Sequence, residues 1–163
     1  IRQLDQADLA ERLVPFLRGA GYDVTAGALM PIVPLIQERL KTLAEVVDWT
    51  GFFFEDELDY DPTLLVGKKM TAAESLEALR RAREVLAGLD DFEAEAMEAS
   101  MRALADELGV KAGPLFGILR GAVTAQQVSP PLFETMEILG RAKTLERIDG
   151  AIQVLEGQTA PAP

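Results

Sequence analysis

Apolar residues recur along this chain at intervals of three and four, and nowhere do they alternate with polar neighbours over the length of a strand. That period belongs to helices with one buried face and predicts no strand. Glycines and prolines cut the pattern into short pieces, which favours a right-angled bundle over a long coiled coil. With 163 residues, 48% of them hydrophobic, the chain is long enough to bury a sizeable core. The expected fold is therefore all-α: a compact helical bundle of seven to eight helices in two subdomains. The pattern places these at 1–66 and 67–157, with a hinge near 62–71 and a disordered tail over 158–163. No internal repeat is evident.

Local signals mark the pieces. Leu9, Leu13, Phe16 and Leu17 define a helix over 6–18, with Asp5 as its N-cap and Pro15 predicting a kink or a short final turn. Thr25 caps the next helix, which Pro31 and Pro34 are expected to split before it runs on through Ile36, Leu40 and Leu43. A short helix follows near 43–53, and residues 55–69 read as a loop. Thr71 with Glu74 forms a capping box that opens a helix ended by Gly88. Asp90 or Asp91 starts another, ended by Gly109. Further helices are predicted at about 113–123, from Ser129-Pro130-Pro131 to Ile138, and over 142–155.

Composition removes several kinds of chemistry. The chain has no cysteine and no histidine. A disulfide framework, a thiolate metal site and a Ser-His-Asp triad cannot be built from it. Lack of cysteine fits a reducing compartment. No phosphate-loop or dinucleotide fingerprint occurs. No secretory signal opens the chain, no apolar run is long enough to span a bilayer, and Ile1 in place of Met is what a fragment or a processed product is expected to show.

Charge is uneven. Residues 1–55 carry 5 basic and 8 acidic side chains, residues 56–109 carry 6 and 14, and residues 110–163 carry 5 of each. A net charge of −11 opposes nonspecific nucleic-acid binding, but the last third escapes that objection.

Three features compete for a function. The acidic run from Glu55 to Asp61 fails the calcium-loop template, since Pro62 stands where glycine is required, and it reads as a solvated loop. The cluster Trp49, Phe52, Phe53, Phe54 could stack bases but reads first as a core corner. The third feature is more unusual. From Ala112 to Phe133 the chain has 22 residues and one charge, Arg120, with glycines at 109, 113, 117 and 121. On a helix, Gly113, Gly117 and Arg120 share one face and Leu115, Leu119 and Ala122 another. Helix-interior glycines destabilise by about 1 kcal/mol each relative to alanine. Close approach of another backbone, from a helix or a ligand, is the simplest compensation. Arg39 by itself reads as an ordinary solvated side chain.

The stretch Leu108-Gly-Val-Lys-Ala-Gly-Pro-Leu-Phe-Gly-Ile-Leu-Arg120-Gly-Ala-Val-Thr124 resembles the signature near the end of bacterial glutamyl-tRNA synthetases, where a Lys-x-Gly step leads into a Leu-Arg-x-Ala-x-Thr-Gly helix. Ser129-Pro-Pro-Leu-Phe-Glu134 through Gly140 is similar to the family's Pro-x-Leu-Phe-Glu segment, and Leu145-Glu-Arg147-Ile to its closing Leu-x-Arg-Leu helix. Leu9 to Leu17 and Leu43 to Phe54 resemble the start of its anticodon-binding region. The chain departs from the pattern at Gly121, at Ala125 in place of glycine, and at Arg141-Ala142.

The resemblance implies the C-terminal anticodon-binding domain of a class I synthetase, without the catalytic half and its HIGH and KMSKS motifs. Such a piece is non-catalytic and holds no cofactor; ATP and Mg belong to the parent. Its implied partners are the anticodon stem-loop of tRNA(Glu) and the N-terminal catalytic domain of the same parent. A cytoplasmic monomer with no membrane contact is expected. The resemblance makes Arg39 the reader of the third anticodon base and Arg120 the second anticodon arginine. Lys111, Gly113, Gly117, Thr124, Arg141, Lys143 and Arg147 are candidate RNA-backbone contacts. The alternative reading is a helical protein-interaction adaptor, or a divergent synthetase paralogue with no charging role.

Overall fold

The computed structural model describes residues 1–159, which hold nine α-helices and no strand. The chain divides into two compact units, one of Ile1–Asp56 with Ser129–Pro131, the other of Glu57–Val128 with the residues from Leu132 onward.

In the first unit, α1 (Gln6–Gly19) continues for four residues past Pro15, with Asp5 at its N-cap position but no side-chain capping bond. Leu9, Leu13 and Leu17 line its buried face, as the three- and four-residue spacing requires. Thr25 accepts from the Ala28 amide at 3.2 Å and caps α2 (Ala26–Leu29). A separate α3 (Val33–Ile36) follows with Pro34 in its first turn. The two prolines thus split one expected helix into two, which raises the helix count above seven to eight. The expected run from Ile36 through Leu40 and Leu43 does not form. Both the Arg39 and Leu40 amides turn back to the Ile36 carbonyl, at 2.8 and 3.1 Å, and close the helix. A 3-10 turn (Leu43–Glu45), α4 (Val46–Thr50) and a second 3-10 turn (Gly51–Phe54) complete the unit. Gln37 donates from its amide to the carbonyl of Leu4 at 2.8 Å and so ties down the N-terminal segment.

The second unit opens with a segment that read as a plain loop. It contains a 3-10 turn, Pro62–Leu65, capped by Asp61. Leu65 is wholly buried and Tyr60 packs against the core. This is why the division by contacts falls after Asp56, while the sequence pattern placed it at 66. The capping box of Thr71 and Glu74 opens α5 (Ala72–Ala87). The Thr71 amide and, second, the Thr71 side chain hold the Glu74 carboxyl below its ordinary range. α6 (Ala94–Leu108) begins after Glu93 rather than at Asp90 or Asp91, and Gly109 ends it at φ 73°. Then come α7 (Ala112–Thr124), α8 (Leu132–Leu139) directly after Pro131, and α9 (Arg141–Thr159). Gln158 and Thr159 of the expected tail are helical, and residues 160–163 lie outside the described residues. α5 and α9 form the broadest helix pairing of this unit. Arg83 bridges them by a fork to the Asp149 carboxylate at 2.7 and 3.2 Å. Among the described residues no helix is long and apolar enough to cross a membrane.

Candidate nucleic-acid interface

Arg39 lies on the exposed turn that closes α3. Its guanidinium sits over the indole of Trp49, 5.4 Å from the ring centroid. A cation over an indole near the surface contributes roughly 0.5–1 kcal/mol and limits the rotamers of a long side chain. The aromatic cluster therefore has two roles. Phe52 and Phe53 are buried and stacked at 4.3 Å between centroids, as a core corner requires. Trp49 is half-buried and carries the arginine.

In the second unit, α7 presents two faces. Leu115, Ile118, Leu119 and Ala122 are buried. Gly113 and Gly117 lie exposed, and a β-carbon on either would meet nothing within 4 Å. The expected close approach of a second backbone is absent at these two positions and present at Gly121. There a β-carbon would stand 2.6 Å from the Leu64 carbonyl oxygen. The departure at 121 is thus a packing requirement of the 3-10 turn against α7. Ala125 holds the left-handed conformation, φ 57°, where the family pattern has glycine.

Gly113 and Gly117 form one wall of a groove of about 360 Å³. Thr63, Lys68, Ile118, Gln126 and Gln127 line it as well. Lys111 is exposed at the N-cap of α7. Arg120 is half-buried one turn beyond Gly117, and Lys143 is half-buried on α9.

The other candidate contacts face inward. Thr124 is buried, and its hydroxyl donates to the Arg120 carbonyl at 2.7 Å. Arg147 is 5% exposed and donates to the Val123 carbonyl at 2.7 Å. Arg141 is half-buried, donates to the Leu89 carbonyl and lies 5.6 Å from the centroid of Phe92. These two arginines and one hydroxyl hold helix ends and loops inside the unit, which sequence spacing cannot distinguish from surface positions.

The acidic run is local structure. Glu55 accepts from the Tyr22 hydroxyl at 2.6 Å, which raises the tyrosine pKa. Asp61 accepts from the side chain and backbone of Thr63, and its carboxyl is lowered by them in that order. Among the described residues no group of three or more His, Cys, Asp or Glu could hold a metal ion. Sequence reasoning missed Tyr60, Lys68 and the Gln126–Gln127 pair. The only advance mark was the Asp61-Pro62 turn signal in an otherwise polar stretch.

A helical domain with an indole-seated arginine and a bare, glycine-walled groove has the makings of a single-strand reader. The family described as "Anticodon binding domain" matches residues 8–152, and the chain belongs to that family. Its curated relatives are more particular. A glutamate–tRNA ligase of Roseiflexus castenholzii is 45% identical over 95% of this chain and 32% of its own length. One from Dehalococcoides mccartyi is 47% identical over 93% of the chain and 32% of its own length. The chain thus spans about a third of these relatives. A crystal structure of a glutamate tRNA ligase from Elizabethkingia meningosepticum has the same fold at TM-score 0.79, with 24% identity, covering 93% of this chain and 30% of that one.

Proposed function

We propose that this chain is the anticodon-binding part of a glutamate–tRNA ligase, and that it holds the anticodon loop of tRNA(Glu). The family match over residues 8–152 carries the reading. The names of the curated relatives support the particular tRNA. A catalytic half elsewhere in the parent performs ATP-dependent glutamylation. ATP and magnesium belong to that half. The parent works in the cytoplasm as a monomer.

Arg39 reads the third anticodon base. A guanidinium presents parallel N–H donors, which match the O2 and N3 acceptors of cytosine. Guanine offers donors at its Watson–Crick edge and leaves the arginine unmatched. Trp49 pre-orders the guanidinium for that task. Arg120 reads a second base beside the bare α7 face. Lys111, Gly113 and Gly117 flank it and can approach the RNA backbone, with Lys143 on α9.

The test uses the chain and synthetic RNA hairpins at low salt. Hairpins with the glutamate anticodon are compared with hairpins carrying guanine at the third position. The wild-type chain should prefer cytosine by about tenfold or more, as bidentate base contacts do. Arg39→Gln should abolish most of that preference. Arg120→Ala should weaken binding of the glutamate hairpin. Equal preference in wild type and Arg39→Gln removes the role given to Arg39. Equal binding by wild type and Arg120→Ala removes the role given to Arg120.

A further inference from the structure

α7 ends inside the second unit, and its ending is built from distant residues. The last carbonyls of a helix have no acceptor role within it and need outside donors. Here four consecutive carbonyls each accept a bond, two from the helix's own last residue and its cap and two from outside it. Arg120 O accepts from the Thr124 hydroxyl at 2.7 Å, and Gly121 O from the Ala125 amide at 2.9 Å. Ala122 O lies 2.6 Å from the Tyr60 hydroxyl, and Val123 O accepts from Arg147 at 2.7 Å. Two of these donors come from other elements, the segment before the Pro62–Leu65 turn and α9.

The Tyr60 hydroxyl also lies 2.8 Å from the Arg147 carbonyl oxygen. It has one proton, so it donates to α7 or to α9 at any instant while resting between both. Its ring packs against Gly150, where a β-carbon would stand 3.6 Å from the ring edge. The Arg147 guanidinium is buried beside the negative end of α7, where a cation is favoured. Gly121 adds the third fixation by admitting the Leu64 carbonyl. The turn of helix that bears Arg120 is thereby held from three directions.

We propose that Tyr60 and Arg147 are positioning residues, which clamp the C-terminal carbonyls of α7 and so fix the direction in which Arg120 meets its base. The inference rests on the role given to Arg120 above. It gives Arg147, a candidate RNA-backbone contact by resemblance, a use in the interior. It also gives a use to a tyrosine that a solvated loop has no need to bury.

Tyr60→Phe keeps the ring and removes the hydroxyl; Arg147→Lys keeps the charge and withdraws the guanidinium N–H that reaches the Val123 carbonyl. Binding is measured to the glutamate-anticodon hairpin and to hairpins substituted at each loop nucleotide in turn. Arg120→Ala identifies the nucleotide whose substitution no longer matters. At that nucleotide alone, Tyr60→Phe should reduce discrimination by about three- to tenfold, the worth of one hydrogen bond. Arg147→Lys should act at the same nucleotide. Amide exchange at Thr124–Gln126 should quicken in both variants. If Arg120→Ala shifts discrimination and Tyr60→Phe does not, the positioning role fails while the role of Arg120 stands. A loss spread evenly over all nucleotides marks a general structural effect and also overturns it. If Arg120→Ala shifts discrimination nowhere, the role of Arg120 fails and this inference falls with it.

Discussion

Two small residues at the end of α7 make opposite demands. Gly121 sits where a β-carbon would press to 2.6 Å on a backbone oxygen that cannot swing aside. Gly121→Ala should therefore lower stability by about 1–3 kcal/mol, the range of overpacked sites. Ala125 has a side chain where the backbone is left-handed, φ 57°. Ala125→Gly should raise stability by roughly 1 kcal/mol, because glycine adopts that region without a steric penalty. Thermal or urea melts of the two variants check both signs. A third residue gives a pH signature. Burial holds the Tyr60 hydroxyl up at about 12, partly opposed by Arg147, against an ordinary value of 10.0. The folded state thus keeps a proton that the unfolded state has already released. That contribution is complete below the ordinary value and disappears as pH rises from there through about 12. Over this alkaline window Tyr60→Phe should lose less stability than the wild type in paired melts. Identical slopes would mean that the hydroxyl ionises freely.

At the scale of elements, α7 is where the sequence spoke most clearly and was still only half read. The i, i+4, i+7 spacing correctly separated Leu115, Leu119 and Ala122 from Gly113, Gly117 and Arg120. It could not say which glycine would be pressed by a backbone, because that depends on the 62–65 turn folding back from far along the chain. The capping box at Thr71 and the stops at Gly88 and Gly109 were legible because caps are local chemistry. The course of 36–43 was misread because its apolar spacing continued past the point where the Ile36 carbonyl collected the next amides. Arg141 and Arg147 stand in the sequence as candidate RNA-backbone contacts, and their turn toward backbone carbonyls is decided by tertiary packing that spacing does not show. The open face of α7 carries its own prediction. Gly117→Ala fills empty space and removes a helix-interior glycine, so it should stabilise the folded chain by about 1 kcal/mol. If the bare face receives RNA, the same variant should weaken hairpin binding. A higher melting temperature with undiminished binding would separate the groove from the RNA surface.

For the molecule as a whole, the constraint is a net charge of −11 on a domain whose proposed partner is a polyanion. Fourteen acidic side chains lie in residues 56–109, and residues 110–163 are balanced. Several cations are already committed to carboxylates. Arg80 pairs with Glu156, Arg81 with Glu107 and Arg102 with Glu98. Arg141 and Arg147 are turned to backbone carbonyls. Lys68 and Lys111 are exposed beside the α7 groove or at the helix N-cap, and Arg39 is exposed over its indole. Binding must then come mainly from base contacts rather than from phosphate neutralisation. Each phosphate neutralised on a single strand adds about −0.7 to the slope of log K against log salt. With Arg39 and Arg120 given to bases and Lys68, Lys111 and Lys143 assigned to the RNA backbone, the slope for the glutamate hairpin should be shallow, about −1 to −3. Lys68→Ala and Lys111→Ala should each flatten it by about one phosphate's share, while leaving the cytosine preference of Arg39 in place. A slope near −6 or steeper would require a broad basic surface, which this charge distribution does not supply, and would move the RNA away from the α7 face.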